Sequence, residues 1–229
     1  MIPILFELTE GNKRDLIKGT RDTFLLLGLG GALIVFIGLF LGVLIFISAN
    51  DKIIKRNKVV FIVNKIFSAI IDTCRSVPFI VLIVVLIPVT AYIVGTMIGW
   101  KGAMPALIIS AAPFFARITA NALKEVPSGT IEACKAMGAS APKIIAILLK
   151  EALPSLVSGL TVTLVTLAGF IAAAGAVGAG GLGDLAIRMG LSRRQDDMLV
   201  MFIAIAILLV IVFVIQYTGD FIAKKIDRR

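Results

Sequence analysis

Long uncharged apolar stretches alternate along this chain with short charged ones. Thr23–Asn50, Ser76–Trp100, Ala152–Gly183 and Met198–Gly219 contain no charged residue. Each is long enough to cross a hydrocarbon core, which takes about 20 residues as a helix. Gly102–Ala116 is shorter, but beyond Arg117 it continues uncharged to Leu123, and an Arg near a helix end can reach the interface. The pattern predicts an all-α polytopic membrane protein with five transmembrane helices, at about Thr23–Ser48, Val77–Gly95, Met104–Leu123, Pro154–Ala174 and Met198–Tyr217. Residues 1–22 read as a polar external segment lying on the membrane surface.

Between the spans the pattern changes. In Val59–Cys74, Asn64, Lys65, Ser68 and Asp72 recur at helical spacing and form a polar stripe on an apolar helix. This segment reads as an interfacial extension of span two. Pro88 predicts a kink in that span, while Pro105 falls near the first turn of span three and Pro113 in its interior. Pro127-Ser128-Gly129 ends span three. Thr130 is then an N-cap for a short helix Ile131–Met137, Gly138 is its stop, and Pro142–Ala152 forms a second helix. After span four, AGAVGAGGLG (residues 174–183) is too rich in glycine for a uniform helix. It predicts a bent end and an irregular external loop through Asp197. The chain reads as one transmembrane domain over 1–229, with a cytoplasmic loop at about 127–153.

Composition agrees: 59% of residues are hydrophobic and the mean hydropathy is +1.05. The net charge of +9 is unevenly distributed. Residues 1–22 balance four basic against four acidic groups, and 184–197 balance three against three. Basic residues exceed acidic ones four to one at 51–58, five to three at 117–151 and four to two at 220–229. Basic excess on alternate loops places the N-terminus outside and those three segments, including the C-terminus, in the cytoplasm. Lys101 is a mild exception. The charge therefore needs no nucleic acid to explain it. Met1–Phe6 is apolar but short and is followed by Glu7, so no cleavable signal is expected and the first span serves as its own targeting signal.

Cys74 and Cys134 both fall on the predicted cytoplasmic side, where free thiols are expected. The chain has no histidine, which excludes a Ser-His-Asp triad, an H-E-x-x-H zinc site and a histidine proton relay. It has no Gly-Lys dipeptide either, so a nucleotide-binding G-x-x-x-x-G-K-[ST] loop is absent. No metal site and no catalytic residue is expected. No charge other than Arg117 interrupts a span, so no ion relay is evident.

The loop Ile131–Pro154 is long and patterned for a cytoplasmic loop. Glu132, Ala133 and Gly138 match the E-A-A-x3-G core of ABC importer permeases, and the loop resembles their coupling helix. Cys134 stands where that family has its third alanine. The family's later Ile-x-Leu-Pro would place its Pro at Glu151, whereas the nearest Leu-Pro here is Leu153-Pro154, three residues late. Arg75-Ser76-Val77-Pro78-Phe79, Ala111-Ala112-Pro113-Phe114, GAVGAGGLGDL (residues 175–185) and Gly219-Asp220 resemble, in the same order, segments of methionine-type importer permeases.

That resemblance implies an inner-membrane permease subunit of a bacterial ABC importer, working as a homodimer and moving methionine, L- and D-, by alternating access. Two copies of a separate ATPase, which holds the ATP and Mg, would dock on the loop through Glu132, Ala133, Cys134, Ala136, Gly138 and Ala139. An external substrate-binding lipoprotein would deliver the cargo. This chain would hold no cofactor, and its other contacts would be membrane lipid. Thr166, Gly169, Ala172, Ala173 and Gly175 in span four are candidates to line a translocation path or dimer axis. The residues alone leave open an ABC permease for another amino acid, a short peptide or an oxyanion, and an ATP-independent secondary transporter.

Overall fold

The computed structural model describes residues 8–51, 53, 58–192 and 195–227. The apolar N-terminal stretch, most of the 51–58 loop, Arg193-Arg194 and the last two arginines of the tail lie outside it. Among the described residues all regular structure is helical. Four helices, Glu10–Ala49, Gly99–Glu125, Leu153–Val177 and Asp197–Ile226, are long and apolar enough to cross a membrane. Asn64–Cys74 and Phe79–Val94 pass the same test together as a bent pair.

The polar N-terminal segment is not a separate surface element. The Thr9 hydroxyl accepts from the Asn12 N–H at 3.3 Å and caps α1 (Glu10–Leu25). The helix then passes through a π-helical turn at Leu26–Gly30 into α2 (Gly31–Ala49). No proline interrupts it, and the wider turn keeps the backbone bonded through the glycines. Then come α3 (Lys58–Ser76) and α4 (Phe79–Val94), separated at Val77-Pro78. Pro88 lies inside α4. Helix α5 (Gly99–Glu125) holds both Pro105 and Pro113 in its interior, so it starts earlier than its hydrophobic run. The chain continues through α6 (Ser128–Ala136), α7 (Ala141–Glu151), α8 (Leu153–Ala174), α9 (Gly181–Leu191) and α10 (Gln195–Ile226).

The described residues fall into two compact units. The first takes in Met1–Ala32, Pro78–Ile109 and Leu164–Ile215. Here α9 replaces the irregular loop expected after span four. After a 3-10 turn at Gly175–Val177, Gly178 and Gly180 take positive φ and turn the chain sharply, and Gly181 opens α9. The glycines then permit close packing rather than loop formation. A Cβ on Gly183 would overlap Ala172 of α8, and one on Gly19 of α1 would stand 3.3 Å from the Gly181 carbonyl oxygen. Thr23, almost fully buried, donates to the Gly19 carbonyl at 2.9 Å and accepts from the Leu182 N–H at 2.9 Å. A side chain of α1 thereby satisfies one of the open donors at the start of α9. Phe79 stacks on Phe170 with centroids 4.7 Å apart.

The second unit takes in Leu33–Val77, Ser110–Thr163 and Gln216–Arg229. Helices α2 and α5 approach closely: a Cβ on Gly42 would lie 2.5 Å from the Ala116 carbonyl oxygen, and one on Gly38 2.9 Å from that of Ala112. Small residues at such crossings are the usual basis of helix association in lipid, where apolar burial gives little driving force. Asn64 of α3 donates to the Ile45 carbonyl at 3.1 Å and to the Ser48 hydroxyl, which ties the polar stripe of α3 to α2. Gly219 packs on Thr161, where a side chain would not fit.

Candidate functional site

The loop after α5 folds as two short helices around a defined reversal. Pro127 precedes α6 with extended ψ and fixes its start; Thr130 lies in the first turn instead of capping it. Helix α6 ends at Ala136. The Gly138 N–H donates to the Lys135 carbonyl at 2.9 Å, and the Ala139 N–H donates to the Cys134 carbonyl at 3.0 Å. This pair of bonds is a Schellman stop, which calls for a left-handed residue at Gly138, and its φ is +72°. Ser140 then precedes α7, whose first turn holds Pro142.

Burial divides α6 into two faces. Ile131 and Cys134, three apart, are buried in a core with Ala122 and Leu123 of α5, Val126 just after it, and Ile144 and Leu148 of α7. Glu132, Ala133, Lys135 and Ala136 are exposed, and Met137, at 76%, extends that face. Of the six loop residues read from the sequence, Glu132, Ala133, Ala136 and Gly138 therefore share the outer surface. Ala139 is half-buried, and Cys134 faces inward. The outer surface has a carboxylate at one end, two methyl groups in the middle and a flexible thioether at the other end, and it also carries the Lys135 ammonium. Two alanines let another backbone approach closely, and a methionine adapts to an irregular groove. Sequence reading did not single out Met137; an apolar residue just before a helix-stopping glycine was the available signal.

The late Leu-Pro has a structural account. Helix α7 ends at Glu151, and α8 begins at Leu153, which puts Pro154 in its first turn, where proline lacks only a donor that would be unpaired anyway. Ser155 donates to Glu125 Oε2 at 2.9 Å and ties the start of α8 to the end of α5.

The small residues of α8 have unlike surroundings. Gly169 is exposed with open space where a Cβ would point. Thr166 and Ala173 are half-buried. Ala172 is also half-buried and backs onto Gly183, and Gly175 is buried against the backbone of Gly183 and Asp184. Thr161 and Thr163 donate to the carbonyls of Val157 and Gly159 in their own helix, at 3.0 and 2.8 Å. Arg117, which the sequence placed near the end of a span, lies two turns inside α5 and pairs with Asp72 of α3.

The family model for the binding-protein-dependent transport system inner membrane component matches residues 34–229. The chain is 44% identical over 198 residues to a protein of Haemophilus influenzae described as a probable D-methionine transport system permease, covering 86% of this chain and 90% of that one. It is 46% identical over 168 residues to a methionine import system permease of Bacillus subtilis, covering 73% and 75%. It also resembles a chain of the MetNI methionine ABC transporter, solved in inward-facing conformations. The TM-score there is 0.89 at 39% identity, covering 96% of this chain and all of that one.

Proposed function

The chain belongs to the family of binding-protein-dependent transport system inner membrane components, and from that premise we propose that it is the permease subunit of an ATP-binding-cassette importer for methionine. The observation that carries the reading is the outer face of α6. Glu132, Ala133, Ala136 and Met137 form a small, closely approachable surface, held rigid by the inward Ile131 and Cys134 and by the stop at Gly138. Such a surface suits seating in a groove of a partner protein. The cargo follows from the relatives, which are described as methionine or D-methionine permeases.

In this reading the bent pair α3–α4 counts as one span, giving five, with the N-terminus outside and the C-terminus in the cytoplasm of a bacterium. Five helices are few for a pore with two alternately open ends, and a two-fold axis between two copies would supply the rest. Two ATPase subunits seat on the two α6 faces, and a substrate-binding lipoprotein presents methionine from outside. ATP binding and hydrolysis take place on the ATPase. Closure of the ATPase pair displaces both α6 helices, and because each shares a core with α5 and α7, the displacement enters the membrane bundle as a rigid shift. Gly169, with open space beside it, and Thr166 and Ala173 on the same side of α8 are the residues proposed to line the path. Ala172 and Gly175 would act there through the close packing of α8 on α9.

Proteoliposomes holding this chain, its ATPase and the binding lipoprotein should take up labelled L-methionine only with ATP, and unlabelled methionine should compete. Intact complexes that hydrolyse ATP without methionine uptake would discard the cargo and keep the importer. Glu132→Lys should leave the membrane domain folded and abolish ATP-dependent uptake; normal ATPase association and uptake in that variant would sink the docking assignment.

A further inference from the structure

We propose that the ion pair between Asp72 and Arg117 is a transmission link: it makes α3 follow α5 when the α6 loop is displaced, keeping substrate movement tied to ATP hydrolysis. The inference rests on the permease reading above and adds two positioning residues to it.

Arg117 presents its guanidinium to Asp72 as a fork, with Nε donating to Oδ1 at 3.2 Å and Nη2 donating to Oδ2. The two residues are 45 apart in sequence, so the pair joins two elements rather than two turns of one helix. A two-point contact between planar groups fixes orientation as well as distance, which a single contact or an apolar contact does not. The apolar neighbours hold the same crossing: Ile71, beside Asp72, is buried with Ala116 and Ala120, beside Arg117, and with Ile45 of α2.

The Arg117 side chain is 21% exposed and that of Asp72 is 52% exposed, so the pair lies outside the buried cluster at this crossing. Ile71, Ala116 and Ala120 already supply contact between α3 and α5. What the fork adds is resistance to sliding and rotation between these helices.

Its position gives that resistance a use. Toward the loop, the last turns of α5 share a core with Ile131 and Cys134 of α6, so α5 moves with α6. In the other direction, α3 ends four residues after Asp72, and the chain passes through Val77-Pro78 directly into α4. A displacement entering at α6 therefore has a continuous physical route through α5 and across the fork to α3. If the fork were loosened, α5 would still move but α3 could lag.

The test uses the full complex with ATPase and binding lipoprotein in proteoliposomes, and reads methionine taken up per ATP hydrolysed. Arg117→Lys and Asp72→Glu keep both charges and disturb only the fork, so both should fold. Each should assemble with the ATPase and hydrolyse ATP within about twofold of the unmodified complex, while the transport ratio falls roughly tenfold, a typical size for coupling between sites. The reversed pair, Asp72→Arg with Arg117→Asp, should recover part of the ratio lost by either reversal alone. An unchanged ratio in both conservative variants would overturn the proposal. So would a parallel loss of thermal stability, ATP hydrolysis and uptake, because that is what a purely structural pair predicts. An unmodified complex with no ATP-dependent uptake would instead overturn the permease reading, and the link with it.

Discussion

The Thr23 hydroxyl bonds two backbone groups at once, one in its own helix and one at the start of α9, from a site that is almost fully buried. Thr23→Val keeps the shape and leaves the Leu182 N–H unpaired in the interior, which costs about 1–3 kcal/mol. A lowered melting temperature in detergent is the expected result, with Thr23→Ser close to the parent; equal melting of Thr23→Val and parent would show that the bond carries no stability. Gly138 makes the same point in the loop. An Ala there must hold a left-handed conformation at roughly 1–2 kcal/mol, so Gly138→Ala should weaken ATPase association more than it weakens the membrane domain, measured by pull-down and by melting. The two residues differ in legibility. Gly138 could be read from the sequence because its role is local, a helix followed by a stop. Thr23 could be read only as the first residue of a span, since its partner belongs to a helix that the glycine content of residues 174–183 concealed.

At the level of elements, the glycines of the first span read alike in sequence and differ in the fold. Gly28 has nothing within 4 Å of a built Cβ, whereas Gly42 would place one 2.5 Å from the Ala116 carbonyl oxygen and the Thr119 Cβ. Gly28→Ala, in the π-helical turn with room for a methyl group, should melt close to the parent. Gly42→Val must part α2 from α5, an overpacking cost of at least about 1–3 kcal/mol. It should appear as lower yield of folded protein and earlier melting; a Gly42→Val protein that melts with the parent would contradict the close crossing. Intrinsic propensity argued against a helix at Gly181–Leu191, and packing on Ala172 and Gly19 prevailed because glycine there permits a contact that no larger residue could make. The amphipathic segments were the more legible ones. The polar stripe of α3 became hydrogen bonds from Asn64 and the pair at Asp72, and the buried positions of α7, Ile144 and Leu148, recur at helical spacing.

For the molecule as a whole, orientation decides whether the proposed docking face can meet an ATPase. The proposed sidedness rests on the distribution of Lys and Arg, with basic excess at 51–58, 117–151 and 220–229 and the rule that such loops stay inside. Two exposed positions on opposite predicted sides make it testable. Ile98, 73% exposed in the turn between α4 and α5, should face outward. Gly129, exposed in the first turn of α6 with open space at its Cβ, should face the cytoplasm. The background replaces Cys74 with Ser and Cys134 with Ala; the latter puts alanine at a buried site and completes the family's E-A-A core. In whole cells a membrane-impermeant maleimide should label Ile98→Cys and leave Gly129→Cys unlabelled until the membrane is opened. The reverse pattern would put α6 on the side without ATP. The coupling route from α6 through α5 and α3 would then have no driver, and the importer reading would fall on topology alone, whatever the likeness of the chain to its relatives.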